Sequence, residues 1–212
     1  MLQADDIKEF FTRQGGQFAF ARWGRPIAPV AFGIEDQSLS VLKSSVEAVV
    51  RLAGHEMSET DPELGSNMMF FFVRDWKQLL EVPNMDGLVQ DLDSLTLKLQ
   101  AKKANQYRLF RFDEVGGIKA CFIFLLMDEH LSAVSAETLC LSQIVQSILL
   151  WSDQAFQSQS PLAVVEDGRT ILRTEIAELI RAAYSASLPA HSDDPSFALR
   201  LFARIQGQAR VS

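Results

Sequence analysis

Cysteine is scarce in this chain of 212 residues: there are two, Cys121 and Cys140. Two cannot build a disulfide framework. They leave two readings open. One is a pair of buried free thiols; the other is a single bridge closing a loop of about 20 residues, worth about 3 kcal/mol in the chain-entropy view. Histidine is hardly richer, with His55, His130 and His191 and no metal-ligand neighbour beside any of them at helical or hairpin spacing. The run His55-Glu56-Met57-Ser58-Glu59 opens like a zinc-binding H-E-x-x-H. It lacks the second histidine and follows a helix-ending glycine, so a solvated loop is the expectation. Positive charge is in short supply too. Lys plus Arg is 20 against 27 Asp plus Glu, a net charge of −7, which disfavours a nucleic-acid surface because phosphate binding needs clustered cations. Lys102-Lys103 with Arg108 and Arg111 is the one small basic patch, and it reads as a solvated helix end.

Long apolar runs are also missing. The longest candidates, 120–127 and 144–151, fall well short of the roughly 18–20 residues that span a bilayer, so no transmembrane segment is expected. The acidic start, 1–11, has no basic region followed by an apolar one. No signal peptide is read there, and the expectation from that alone is cytoplasmic. Nucleophile elbows of the Gly-x-Ser-x-Gly type and glycine-rich phosphate loops are absent, since Gly15-Gly16 and Gly116-Gly117 are isolated turn pairs.

What is present is a core. Hydrophobic residues make up 48% and charged residues 22%, the balance of a globular chain of one domain's size. The pattern predicts a short amphipathic helix at 5–12, a strand at 27–32 with Pro29 marking an edge, and a helix over 40–53. That helix takes Ser38 or Ser40 as N-cap and ends at Gly54. The apolar run 68–73 reads as a central strand buried on both faces. A long helix is predicted over 86–103, then a hairpin of 108–112 and 118–127 turning through 113–117. Helices follow at 136–151 and 170–184, and a last one is capped by Asp194 with Pro195 at its first position. The order reads as α+β, with a mixed sheet, covering helices and a helical C-terminal part. The domain reading is a helical arm at 1–19, a main domain at 20–190 and a C-terminal helix at 191–212.

The segment with the most chemical content is the helix Cys140-Leu141-Ser142-Gln143-Ile144-Val145-Gln146-Ser147-Ile148-Leu149-Leu150. It resembles a worn zincin active-site helix, H-E-x-x-H-x-x-G-L, with Ser142, Gln143 and Gln146 at the histidine, glutamate and histidine places. The wider chain resembles a bacterial family of uncharacterised, zincin-like proteins of unknown function, largely exported. Beyond that helix, the resemblance is carried by Arg22-Trp23-Gly24-Arg25-Pro26, Leu52-Ala53-Gly54-His55, 67–73, Cys121-Phe122-Ile123-Phe124 and 175–184. In that family a Glu-Glu pair and a Gly-Leu turn occupy the positions of Ser142-Gln143 and Leu149-Leu150. The resemblance implies a zincin-like fold, raises the Cys121–Cys140 bridge and pulls localisation toward the cell envelope.

Serine and glutamine are poor zinc ligands, and a neutral amide is no general base at pH 7. No metal, no cofactor and no catalytic residue is therefore expected at these vestigial positions, although Gln143 and Gln146 can hydrogen-bond neighbouring strands. A plainer alternative makes Ser142, Gln143 and Gln146 the polar face of a helix whose apolar face is Leu141, Ile144, Val145 and Ile148. The leading expectation is a non-catalytic partner-binding module, its protein partner unidentified, with Trp76, Trp151 and Phe156 as a contact surface. The alternative is a metal-dependent peptidase or hydrolase in which folding brings His130 or His191 beside Gln146. A third reading places a small-ligand cleft under 154–167, with 154–160 as a loop over it.

Overall fold

The structure, a computed structural model, describes residues 2–209. Helix α1 (Ala4–Phe11) leads through the short strand β1 (Phe20–Ala21) to the edge strand β2 (Pro29–Phe32). Helix α2 (Asp36–Ala53) then crosses to β3 (Met68–Val73). A 3-10 helix (Trp76–Glu81) and the helices α3 (Met85–Leu88) and α4 (Leu92–Ala101) precede the hairpin of β4 (Gln106–Phe112) and β5 (Ile118–Leu126). These strands form one mixed sheet in the order β2-β3-β5-β4. β2 runs parallel to β3 and β3 parallel to β5, while β4 is the antiparallel edge. Pro29 opens the edge strand β2 and the Met-Met-Phe-Phe-Phe-Val run of β3 lies inside the sheet, as their sequences require.

Alternation splits the sheet into two cores. Met68, Phe70, Cys121 and Ile123 join one cluster with α2 and the helices that follow. These are α5 (Glu129–Ser132), α6 (Ala136–Val145) and α7 (Thr174–Ala183). Met69, Phe71, Ala120, Phe122 and Phe124 join the other, under the 3-10 helix, α3 and α4. A hairpin of β6 (Leu162–Val164) and β7 (Thr170–Leu172) precedes α7, and the short strand β8 (His191–Ser192) precedes α8 (Phe197–Ala209). The two ends of the chain meet: β1 pairs with β8, and Phe20 packs on Phe197 at 4.6 Å. Ile7 and Phe11 of α1 and Leu201 of α8 are buried in the same cluster as the main domain. The terminal segments thus complete the core.

The structure departs from the sequence expectation in four elements. Helix α2 begins at Asp36, so Ser38 and Ser40 lie inside it, and Ser40 Oγ bonds back to the Asp36 carbonyl at 3.2 Å. The helix expected over 86–103 is broken at Asp91, which holds φ +52°, and Met85, Val89 and Leu92 all reach the core. Residues 170–172 form β7 instead of a first helical turn, because Asp167-Gly168, with Gly168 at φ +83°, closes a hairpin. Helix α6 stops at Val145 instead of Trp151. Its last carbonyl and two just beyond its end are taken by indole and phenol donors: Trp151 Nε1 to Val145 O, Trp23 Nε1 to Ser147 O and Tyr184 Oη to Ile148 O, all at 2.8–2.9 Å. Leu150 N–H then donates to Ala21, drawing 149–151 into extended backbone beside β1.

Candidate functional site

Period two puts Gln106, Arg108, Phe110 and Phe112 on one face of edge strand β4. That face looks at α6. Helical spacing brings Gln143 over the strand, where it is 2% exposed. Arg108 Nη2 donates to Gln143 Oε1 at 2.5 Å and to Gln106 Oε1 at 3.1 Å, and Gln143 Nε2 donates to Gln106 Oε1 at 3.3 Å. Gln146 turns back on its own helix and donates to Ser142 Oγ at 2.8 Å. Of the two strand-directed amides expected, Gln143 is one and Gln146 is not. The polar-face alternative would leave Gln143 in water, and its burial speaks against that.

Arg108 is the unusual group. It has amide partners but no ion pair among the described residues, and its Nε is buried with no acceptor. Desolvation is the main influence on its guanidinium and pulls the pKa down to about 10, which still leaves a cation at neutral pH. The nearby Cys121 thiol is pushed up to about 12 by burial, against smaller opposing effects from Arg108 and Ser147. Burial likewise raises Cys140 to about 11. Both cysteines are free thiols in this structure, Cys121 on β5 and Cys140 on α6.

Arg108 lines a cleft of about 410 Å³ between β4, the end of α6 and the segment 150–156. Gln146, Trp151 and Phe156 line it too, with Phe110 and Arg13. Trp151 is only 7% exposed and is locked in place, stacked on Phe11 at 5.4 Å and edge-on to Phe156 at 4.9 Å. Phe156 holds φ +65°, a left-handed conformation that costs a bulky residue strain. A second cleft of about 550 Å³ adjoins the first at Ala155 and Phe156, between α1, the 154–160 loop and the start of α7. That is the cleft expected at this loop.

The other expected positions lie elsewhere. Trp76 is on the opposite side of the sheet, 2% exposed, with its indole donating to Ala104 O; it is a core residue and offers no contact surface. His55 is held by Arg25 O at 2.9 Å against Tyr184, and burial lowers its pKa. His130 is exposed on α5, and His191 sits on β8 with Nδ1 3.0 Å from Phe20 O. Neither histidine lines the cleft beside Gln146. The basic patch divides as well. α4 ends at Ala101, Arg108 is mid-strand, and Arg111 points to the other face, donating to Leu88 O. The overlooked signal was the strand alternation, which sets an arginine between Gln106 and Phe110 on a helix-facing side.

The zinc that a zincin resemblance implies does not fit this donor set. Two amides, a hydroxyl and a guanidinium crowd the helix face, and the cation repels a divalent metal. Among the described residues no group of three His, Cys, Asp or Glu side chains converges to hold a metal ion. Nor is any helix among them long and apolar enough to cross a membrane.

Fold and site together define an α+β protein whose mixed sheet carries a cationic, aromatic-walled cleft along its antiparallel edge. Comparison of the chain with protein-family models, with curated proteins and with solved structures finds no match in any of the three.

Proposed function

We propose that this chain is a worn zincin-like scaffold that works as a non-catalytic, partner-binding module, with the β4–α6 cleft as its binding site. The observation that carries the reading is the Arg108–Gln143–Gln106 cluster at the cleft. An enzyme descended from a metallopeptidase would keep carboxylates or imidazoles on that helix face. This chain has amides there, and a guanidinium fills the space between them. Amides orient an arginine well and activate water poorly. Phe112 and the half-buried Phe156 give the apolar area that interfaces favour, while Trp151, expected as contact surface, is a core residue that backs Phe156.

Elemental mass spectrometry of the purified chain, coupled to a peptidase assay on unfolded casein with added zinc, tests the reading. We expect no stoichiometric metal and no cleavage. Bound zinc at one per chain, or zinc-dependent cleavage, would overturn it in favour of a metal-dependent hydrolase.

A further inference from the structure

The two adjoining clefts differ in charge. Two arginines, Arg13 and Arg108, face one aspartate, Asp153, in the first. Three carboxylates, Asp6, Glu9 and Glu175, face one arginine, Arg173, in the second. Asp153 does not neutralise its arginines. Its Oδ1 accepts from Gln14 N–H at 3.0 Å, and it forms no ion pair among the described residues. A local positive field in a chain of net charge −7 is a focused one. Arg108 also has unused donors: its Nε is buried without an acceptor, and Nη1 makes no hydrogen bond to a described residue. With Nη2 held by the two amides and Nε buried, Nη1 is the donor left for a ligand carboxylate, through one charge-assisted hydrogen bond.

The geometry points to a docking site for an extended segment of a partner protein that carries an acidic residue for Arg108, an apolar residue against Phe156 and a basic residue for the second cleft. The inference rests on the binding-module reading and names its partner by chemistry. A small free acid suits the site less well, because it would fill the first cleft alone and leave Phe112, 42% exposed along its wall, in water. A chain segment covers both clefts, and its opposite charges match them in order.

The test uses the full chain, ¹⁵N-labelled, and the peptide acetyl-Glu-Phe-Ser-Lys-amide, followed by NMR at the Trp151 indole and the Phe156 amide. We expect saturable shifts at both. Replacing the peptide's Glu by Gln should weaken binding at least tenfold, and replacing its Lys by Gln about threefold. Arg108→Met should lose the same tenfold toward the Glu peptide and nothing further toward the Gln peptide. Gln143→Glu, which hands Arg108 an internal carboxylate, should match that loss. Thermal unfolding of both variants separates lost binding from lost folding. Equal binding of the uncharged peptide would overturn the proposal, as would silence toward every peptide. So would 3-phenylpropionate reproducing the peptide's affinity, which would make this a small-acid site. Metal content and casein cleavage decide the binding-module reading; the peptide series decides this one.

Discussion

The two faces of the central sheet are built on different rules. Under α4, Phe71, Phe122 and Phe124 meet Trp76, Leu79 and Leu99, and the buried polar side chain there, Thr96, bonds its own helix at Asp93 O. Under α6 the core holds Gln143, Ser147 and the thiol of Cys121 among its apolar residues, with the half-buried Arg108 at its edge, and Arg108 Nε has no hydrogen-bond partner. Burying a polar group without a partner costs about 1–3 kcal/mol. One face is therefore packed for stability alone, and the other gives some of it up. Strain and unpaired groups persist where something other than folding keeps them.

The sharpest way to break this comparison is to truncate the apolar face. Trp76→Ala removes a fully packed indole and its bond to Ala104, and should cost about 3–5 kcal/mol. Urea unfolding should show the midpoint falling with an unchanged slope. A loss under about 1 kcal/mol would mean the α4 face is no better packed than its opposite.

The next effect belongs to the α6 face and its thiols. Both Cys121 and Cys140 have folded pKa values raised by burial, to about 12 and about 11. An unfolded thiol ionises near 8.5. Between those limits the native state holds more protons than the unfolded one, so stability is full below about pH 8.5 and falls as pH rises. The slope should approach roughly 1.4 kcal/mol per pH unit for each thiol. Measured between pH 8.5 and 9.5, below the range where buried Tyr184, its own pKa raised by burial, adds to the slope, it should about halve when Cys140 is replaced by alanine. Iodoacetamide should label no cysteine in the native protein and two in urea. Labelling that needs prior reduction would replace the two thiols by a Cys121–Cys140 bridge and remove the alkaline slope.

Legibility follows the same division. The α4 face could be read from the sequence, because Met-Met-Phe-Phe-Phe-Val and the Asp113–Gly117 turn are local signals and apolar packing needs no particular partner. The break at Asp91 was hidden, since the leucine spacing of 86–103 continues the helical stripe through it. The Asp167-Gly168 hairpin was legible and was outweighed by the helical period after it. On the α6 face the local signal fails for a physical reason. Helix α6 ends just before Ser147 and Ile148, whose carbonyls accept from Trp23 and Tyr184, distant in sequence. The site was half visible: Gln143, Gln146, Trp151 and Phe156 stood out as residue types. Arg108 read as a surface charge, because only tertiary contact shows that its neighbours are amides and not carboxylates.

The smallest effect carries the opposite sign. Arg108→Met places an unbranched apolar chain of similar length where a cation now lies without a counter-charge. Desolvation already drags the guanidinium pKa down to about 10, so the folded state works against this charge. Replacing buried charges by apolar groups of similar volume is often neutral or stabilising. Gln143 Nε2 keeps its bond to Gln106 Oε1 at 3.3 Å, while Gln143 Oε1 loses the Arg108 donor, which offsets part of the gain. We expect a gain of about 1 kcal/mol, seen as a melting temperature higher by about 2–4 °C. On the α4 face every comparable truncation should lose stability; here the substitution should raise it while removing the cleft's charge. A loss above about 1 kcal/mol would recast Arg108 as a strut between strand and helix, and the two faces would then differ in composition but not in purpose. A gain would separate stability from recognition at a single side chain, as expected of a group kept for what it binds.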